Sequence, residues 1–149
     1  MNWKRLFAKP GQLDDQEFRE IAEHTVIGHR IVAGVDFPWP QLPEVVRWHH
    51  ERADGSGYPD QLHLDELPLA ARIMGVADSF DAMSSTRPYR NPLAPHRIDE
   101  IFRSGAGGQW DPKVVDALFA CRGDLEQIRQ KGLGVSLVAA VDDMVNKFK

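Results

Sequence analysis

Apolar residues recur every three or four positions along most of the chain, which is the spacing of one face of an α-helix. The first such stretch opens at Asp14, and Glu17 completes the residue pair of a capping box. This helix is predicted to run to about Gly34. Pro43 suits the first turn of a second helix, which is predicted to end near Arg52. No segment of useful length alternates apolar and polar residues as a strand does, so the predicted fold class is all-α.

The stretch from Leu69 to about Ser85 is apolar on most faces, and we therefore expect a central, buried helix there. It nevertheless carries Asp78 and Asp81, and an unpaired carboxylate is costly to bury. A bound cation, a salt bridge or a helix cap would each remove that cost. Further helices are predicted over residues 95–104, 112–121, 124–131 and 136–147.

Composition narrows the class of protein. The 149 residues suit one globular domain, and no apolar run reaches the length of a membrane span. The net charge of −4 disfavours a surface for bulk nucleic acid. Cys121 is the only cysteine, which excludes an internal disulfide and suits a reducing compartment. These features predict a cytoplasmic protein.

Histidines and aspartates provide the candidate chemistry. His24 lies on the first predicted helix, and His49 and His50 lie near the end of the second. Together with Asp78 on the central helix, they offer the imidazole and carboxylate ligands that divalent transition metals prefer. Spacing alone leaves open whether they form a metal site or are surface and hydrogen-bonded residues. The remaining histidines are expected to face other directions or the solvent: His29, His63 and His96.

Six short motifs follow one another along the chain. Residues 49–59 read HHERADGSGYP. Upstream lie KPGQL (9–13) and HTVIG (24–28), and downstream lie VADSFDAM (76–83), RPYR (87–90) and GAGGQWDP (105–112). From about Lys9 to about Phe119 this ordered set resembles the HD-GYP family, the phosphodiesterases of the HD superfamily that act on cyclic di-GMP.

The resemblance implies a compact helical bundle of the HD-domain type with about six helices. It also implies that His24, His49, His50 and Asp78 ligate divalent metal ions, two or three of them in the family. Iron and manganese are the first candidates, with zinc and nickel as alternatives.

The same resemblance implies roles for the residues around the metals. Asp81 is expected to support the site by orienting a ligand. Arg87 and Arg90 would hold the phosphates of the substrate, because a guanidinium matches phosphate oxygens and stays charged. The loop after the second helix is expected mainly to turn the chain tightly, beside the substrate cleft and a surface for partner proteins. Its motif residues are Asp54, Gly55, Gly57, Tyr58 and Pro59.

The chain departs from the family pattern at its start. HD-GYP domains carry a His-Asp pair before the Lys-Pro-Gly turn, whereas residues 1–8 contain neither histidine nor aspartate. We therefore expect the first helices of the family fold to be missing, with 1–8 a remnant, 9–121 the HD-GYP-like domain and 122–149 a helical extension packed on it. One ion or none would then replace the family's cluster. The apolar surface uncovered near residues 73–83 would favour a homodimer.

The function implied by the resemblance is metal-dependent hydrolysis of cyclic di-GMP in bacterial signalling, incomplete in this chain. The missing His-Asp pair leaves open whether the chain alone is an enzyme. The alternative is a catalytically inactive module that binds a cyclic dinucleotide or a protein partner, for instance a diguanylate cyclase domain.

Overall fold

The computed structural model describes residues 13–86 and 91–131. Within these ranges the chain forms helices and no strand, apart from two isolated bridges, which confirms the predicted all-α class. The last predicted helix, over residues 136–147, falls outside them. The helices are α1 (Asp15–Ala33), α2 (Leu42–Trp48), α3 (Leu69–Ser84), α4 (Pro95–Gly105), α5 (Pro112–Ala120) and α6 (Arg122–Lys131).

Two compact units divide the chain, Met1–Val115 and Asp116–Lys149. In the first unit α1 packs against α2, α2 against α3, and α3 against α4. The second contains the end of α5 and all of α6. None of the helices in the described ranges combines the length and the apolar character that a membrane crossing requires. The predicted domain limits at residues 9, 121 and 122 stay a prediction. The core of the first unit includes Val45, Leu67, Ala71, Val76, Phe80, Met83, Ile98, Phe102, Trp110 and Val114.

The start of α1 is set by the predicted capping box. The Asp14 carboxylate accepts hydrogen bonds from the N–H groups of Gln16 and Glu17, both at 2.9 Å. The Glu17 carboxylate in turn accepts from the N–H of Asp14 at 3.0 Å. These bonds satisfy donors that the start of a helix leaves open, and such a cap contributes about 1 kcal/mol. The cap therefore fixes the beginning of the helix that carries His24.

The end of α2 differs from the prediction. The helix stops at Trp48 instead of near Arg52. The N–H of Glu51 bonds to the carbonyl of Trp48 at 3.0 Å, in a tight turn that replaces the next helical bond. His49 is the C-cap residue and His50 follows it in this turn. The two histidines therefore lie just past the helix and not on its last turn.

A buried carboxylate explains why the chain leaves the helix here. Glu51 is 8% exposed, and its carboxylate accepts hydrogen bonds at 2.6, 3.0 and 3.1 Å from the backbone N–H groups of Asp60, Gln61 and Leu62. A carboxylate can be buried when its lone pairs are filled in this way. Glu51 thus anchors the chain at residues 60–62 to the end of α2. The segment between them, which contains Asp54, Gly55, Gly57, Tyr58 and Pro59, is called the motif loop. The predicted helix end is wrong because this non-local contact leaves no trace in the local sequence pattern.

The helix α3 contacts both α2 and α4, as expected of a central helix, but it is buried on one face only. Ile73 and Met74 remain 49% and 47% exposed, and Asp78 and Asp81 are exposed as well. The expected cost of burying these carboxylates therefore does not arise. The prediction of burial on most faces is wrong because several apolar residues of α3 point away from the core. The core face is formed by Ala71, Val76, Phe80 and Met83.

The segment before α5 closes against the motif loop through its backbone. The N–H of Ala53 donates to the carbonyl of Gln109 at 3.2 Å, and the N–H of Asp54 donates to the carbonyl of Gly108 at 2.9 Å. These two bonds join the HHERADGSGYP motif to the GAGGQWDP motif. Two motifs about fifty residues apart in sequence are thereby hydrogen-bonded side by side.

Side chains tie the same segment to α3. Trp110 is 7% exposed, and its indole N–H donates to the hydroxyl of Ser79 at 3.3 Å. Asp111 is also buried, and its carboxylate pairs with the guanidinium of Arg72 at 2.9 Å. Both contacts hold the 105–112 segment in place beside α3.

The substitution Glu51→Gln tests the anchor of the motif loop. The amide keeps one acceptor oxygen but presents its NH₂ group to backbone donors, which leaves at least one buried N–H unpaired. We expect the free energy of unfolding, measured in urea, to fall by about 1–3 kcal/mol. Glu66→Gln is the matched control, because Glu66 accepts the N–H of His63 at 2.9 Å on the exposed surface. Equal losses in the two variants would contradict the anchor role.

Candidate metal centre

Three histidines meet in the first unit. One ring nitrogen each of His24, His49 and His50 lies within 4.8 Å of the others. His24 comes from α1, and the other two come from the chain just past α2. Gly28 allows the two helices to approach, because a Cβ atom at Gly28 would lie 2.8 Å from Cγ1 of Val46. Close packing of α1 on α2 therefore brings the predicted ligands together.

Backbone carbonyls fix the orientation of two of these rings. Nδ1 of His24 lies 2.6 Å from the carbonyl oxygen of Ile21, and Nδ1 of His49 lies 2.8 Å from that of Val46. A carbonyl oxygen only accepts, so each Nδ1 carries a proton, and in the neutral ring Nε2 keeps its lone pair. Fixing one ring nitrogen in this way is how proteins orient a histidine that binds a metal through the other.

The two remaining nitrogens face each other. Nε2 of His24 and Nε2 of His49 are 3.5 Å apart. When both rings are neutral, with their protons on Nδ1, the two Nε2 lone pairs face each other and repel. A cation between them would turn that repulsion into coordination. The donor set, three imidazoles, therefore fits a divalent transition metal.

The protonation of the cluster also suits a metal. Burial, together with the smaller effects of the neighbouring His49 and His24, lowers the pKa of His50 to about 3. Burial likewise lowers the pKa of His49, with repulsion from His24 adding to the effect and Asp78 opposing it. Both rings are neutral at pH 7 and keep the lone pairs that a metal ligand needs.

Asp78 lies near this cluster without joining it. Its side chain is exposed on α3, yet its charge acts on His49 and contributes to the raised pKa of Tyr58, which burial brings to about 12. Asp81 is exposed, and its carboxylate accepts the hydroxyl of Ser85 at 2.8 Å at the end of α3. The structure therefore brings together three of the four predicted ligands. The ligand role of Asp78 and the supporting role of Asp81 stay predictions.

The other histidines do not take part. His63 and His96 are exposed, as expected, and His96 lies in the first turn of α4. His29 stands apart from the cluster, as its position five residues after His24 predicts. Arg87 and Arg90 lie outside the described residues, so their phosphate-binding role stays a prediction.

The motif loop packs directly on the cluster. The ring of Tyr58 lies 5.0 Å from that of His50 and meets the ring of Phe18 edge-on at 5.4 Å. Gly57 permits the turn, since a Cβ atom there would lie 2.4 Å from the backbone nitrogen of Arg52. The loop therefore has the structural role expected of it.

The start of the motif loop is held by its own polar groups. Gly55 has a φ of 76°. The Asp54 carboxylate accepts the N–H and the hydroxyl of Ser56 at 3.0 and 2.6 Å, and the Arg52 guanidinium donates to it at 3.3 Å. These contacts hold the pKa of Asp54 below its usual range. Pro59 completes the motif through a cis peptide bond with Tyr58.

A cavity of about 250 Å³ opens beside the cluster. His49 and His50 form part of its wall. Neither this cavity nor the place of Glu51 and Gln109 in its wall is predicted from the sequence, because the cavity arises where two distant motifs meet. The sequence did contain one signal for Glu51: it directly follows two candidate metal ligands and precedes a glycine-rich loop. The other lining residues include Arg52, Ser56, Tyr58, Ser79, Gln109 and Trp110.

Several known proteins are similar to this chain in sequence. The chain is 41% identical over 131 residues to a cyclic di-GMP phosphodiesterase of Thermotoga maritima, which is 85% of this chain and 35% of that protein. It is 40% identical over 124 residues to the cyclic di-GMP phosphodiesterase response regulator RpfG of Xanthomonas campestris, which is 83% of this chain and 33% of that protein. A 3′3′-cGAMP-specific phosphodiesterase of Vibrio cholerae is 37% identical over 114 residues, 76% of this chain and 22% of that protein.

This chain thus spans about a third or less of the length of these relatives. A family model for the HD domain matches residues 4–114, which include all three clustered histidines and the motif loop. By that match the chain belongs to the HD domain family.

Proposed function

We propose that this chain forms the metal-binding part of a phosphodiesterase domain that hydrolyses cyclic di-GMP. One observation supports the proposal above the others. The Nε2 atoms of His24 and His49 face each other at 3.5 Å, with their Nδ1 atoms committed to backbone carbonyls. Such an arrangement is stabilised by a cation. The names of the relatives add the substrate class, since they are called phosphodiesterases for cyclic di-GMP or 3′3′-cGAMP.

The proposed site requires residues that bind a metal ion and leave room for water and substrate. His24, His49 and His50 would hold a divalent ion, with Asp78 as a further ligand from α3, and three imidazoles leave coordination positions open for water and substrate. A bound ion of this kind lowers the pKa of water and offsets negative charge on a phosphoryl group. Iron or manganese is our first choice, with zinc or nickel as alternatives, because imidazole nitrogens suit all four.

The substrate's phosphates need fixed positive charge. Arg87 and Arg90 follow the C-terminal end of α3, the helix that also carries Asp78. Guanidinium groups at these positions would bind phosphate oxygens in a bidentate way and remain charged at any working pH. Hydrolysis adds one water across a phosphodiester bond and opens the ring of the cyclic dinucleotide.

A non-catalytic binding module is the second candidate. The observation that favours it is the make-up of the cluster, which among residues 13–86 and 91–131 contains three imidazoles and no carboxylate to bridge two ions. A single ion held in this way would bind a cyclic dinucleotide through its phosphates without the second ion that two-metal hydrolysis uses. A diguanylate cyclase domain is the protein partner that we propose for such a module.

Metal binding is expected to stabilise the chain through the cluster. At a Mn²⁺ concentration of about 100 times the Kd, we expect the free energy of unfolding to rise by about 2.7 kcal/mol. His49→Ala should abolish this gain and the bound metal measured by elemental analysis. His96→Ala is the control, because His96 is exposed on α4. Unchanged metal content in His49→Ala would refute the assignment.

Acid is expected to destabilise the metal-free chain through His50. In the unfolded chain this histidine titrates near its ordinary pKa of 6.5, whereas the folded pKa is about 3. Between these pH values the unfolded state binds more protons than the folded state. The stability that the neutral, buried His50 contributes is therefore fully present above pH 6.5 and is lost as the pH falls from 6.5 toward 3. His50→Ala should reduce the proton uptake on unfolding by about one proton near pH 5, measured by urea unfolding at several pH values. His96→Ala serves as the control, and identical pH dependence in both variants would contradict the buried, neutral His50.

Turnover of cyclic di-GMP by the 149-residue chain with Mn²⁺ or Fe²⁺ separates the two candidate functions. For the hydrolase we expect turnover that His49→Ala removes, and a loss of about tenfold to a hundredfold in kcat/KM for Arg87→Ala, since a charge-assisted phosphate contact is lost. Arg97→Ala is the matched control, because Arg97 is exposed and pairs with Glu100. Cyclic di-GMP binding without turnover would identify the binding module, and turnover surviving in His49→Ala would refute the metal site.

A further inference from the structure

Asp60, which directly follows the motif loop, contacts the chain on both sides of the tandem histidines at 49–50. Its backbone N–H donates at 2.6 Å to the carboxylate of Glu51, the residue just after the histidines. Its own carboxylate accepts from the side chains of Arg47 and Trp48, the two residues just before them. One residue therefore holds both ends of the dipeptide that supplies two of the three clustered imidazoles.

The carboxylate of Asp60 holds the last two residues of α2. The Arg47 guanidinium donates to it in a bidentate pair, from Nε to Oδ2 at 2.6 Å and from Nη2 to Oδ1 at 2.7 Å. The indole N–H of Trp48 also donates to Oδ2, at 2.7 Å. The hydrogen bond from Arg47 is the main reason that the pKa of Asp60 lies below its usual value, so the carboxylate is charged at neutral pH.

The place of this ion pair matters more than its contribution to stability. Arg47 and Asp60 are both partly exposed to solvent, and ion pairs that water reaches add little to the stability of a fold. This one, however, is attached to the helical turn that orients the next residue, because Nδ1 of His49 lies 2.8 Å from the carbonyl oxygen of Val46. A shift of that turn would therefore rotate the imidazole of His49.

A second connection runs from Asp60 to the other histidine through the motif loop. Tyr58 lies two residues before Asp60, and its N–H donates to the carbonyl of His50 at 3.3 Å. The ring of Tyr58 also lies 5.0 Å from the ring of His50, at an angle of 34°. The position of Asp60 therefore affects where this aromatic ring rests on the imidazole.

We propose that Asp60 is a positioning residue of the metal centre, which keeps His49 and His50 in the orientation that binds a divalent ion. Its carboxylate holds α2 before the histidines, and its backbone N–H holds Glu51 after them. The two residues between these attachments have little freedom to turn. Ligands that are held in this way need little rearrangement to receive a cation, which raises the affinity for the metal. The inference rests on the proposed function for the identity of the cluster as a metal centre.

The test is titration of the 149-residue chain with Co²⁺, whose visible spectrum depends on the arrangement of its ligands. Asp60→Asn keeps the size of the side chain and the backbone N–H, but its NH₂ group meets the donors of Arg47 and Trp48. We expect Co²⁺ to bind about tenfold more weakly and with a changed spectrum, since contacts around metal ligands have effects of this size. Glu100→Gln is the matched control and should bind Co²⁺ like the parent, because it breaks an exposed ion pair on α4.

A second variant tests whether the ion pair acts as one unit. Arg47→Met keeps the aliphatic stem and removes the guanidinium, so it should also weaken Co²⁺ binding. The double variant should then bind about as weakly as Asp60→Asn alone, because both substitutions break the same contact. Losses that simply add would overturn the proposal. So would a lower melting temperature in Asp60→Asn with the Kd and the spectrum of the parent, which is the result of a merely structural role.

A measurement without metal separates this inference from the proposed function. In the metal-free chain, ¹⁵N NMR of the imidazoles reports the orientation-dependent environment of His49 and His50. We expect their ring signals to shift in Asp60→Asn and to stay unchanged in Glu100→Gln. If the parent binds no Co²⁺ but these signals respond, the hydrolase proposal fails and the positioning role of Asp60 stands. If Asp60→Asn has the Co²⁺ affinity and the ring signals of the parent, the positioning role fails and the hydrolase proposal stands.

Discussion

The site depends on two backbone carbonyls that orient two imidazole rings toward each other. The carbonyls of Ile21 and Val46 each accept a hydrogen bond from Nδ1 of a histidine, so the Nε2 atoms of His24 and His49 face each other at 3.5 Å. The packing of α1 on α2 keeps them there, helped by the absence of a side chain at Gly28. The fold thus supplies the energy that orients the ligands, and a cation meets a site that needs little rearrangement.

The early end of α2 also determines how the histidines are oriented. On a regular helix, adjacent side chains point about 100° apart, and two neighbouring histidines would diverge. Because the chain leaves the helix at Trp48, the rings of His49 and His50 lie 4.1 Å apart at an angle of 40°. The buried Glu51 holds this exit by binding three backbone N–H groups of the motif loop. The residue that follows the ligands therefore controls where they point.

The sequence predicts those features that local signals determine. The capping box at Asp14 and the proline at Pro95 set helix starts where the structure has them. The convergence of His24 on His49 was predicted from the family resemblance, because spacing alone cannot show that α1 packs on α2. The end of α2 and the exposure of Asp78 were missed for the same physical reason, namely that tertiary packing decides them. Apolar residues such as Ile73 point outward on a helix whose composition suggests burial.

The 105–112 segment holds the fold together in two different ways. The backbone carbonyls of Gly108 and Gln109 accept the two hydrogen bonds that join this segment to the motif loop. These bonds involve no side-chain atom, so a substitution at Gln109 leaves them in place. Trp110 and Asp111, in contrast, act through their side chains, which are buried and hydrogen-bonded to residues of α3. Neighbouring positions of one loop are therefore constrained differently: Gln109 through its backbone, and Trp110 and Asp111 through their side chains.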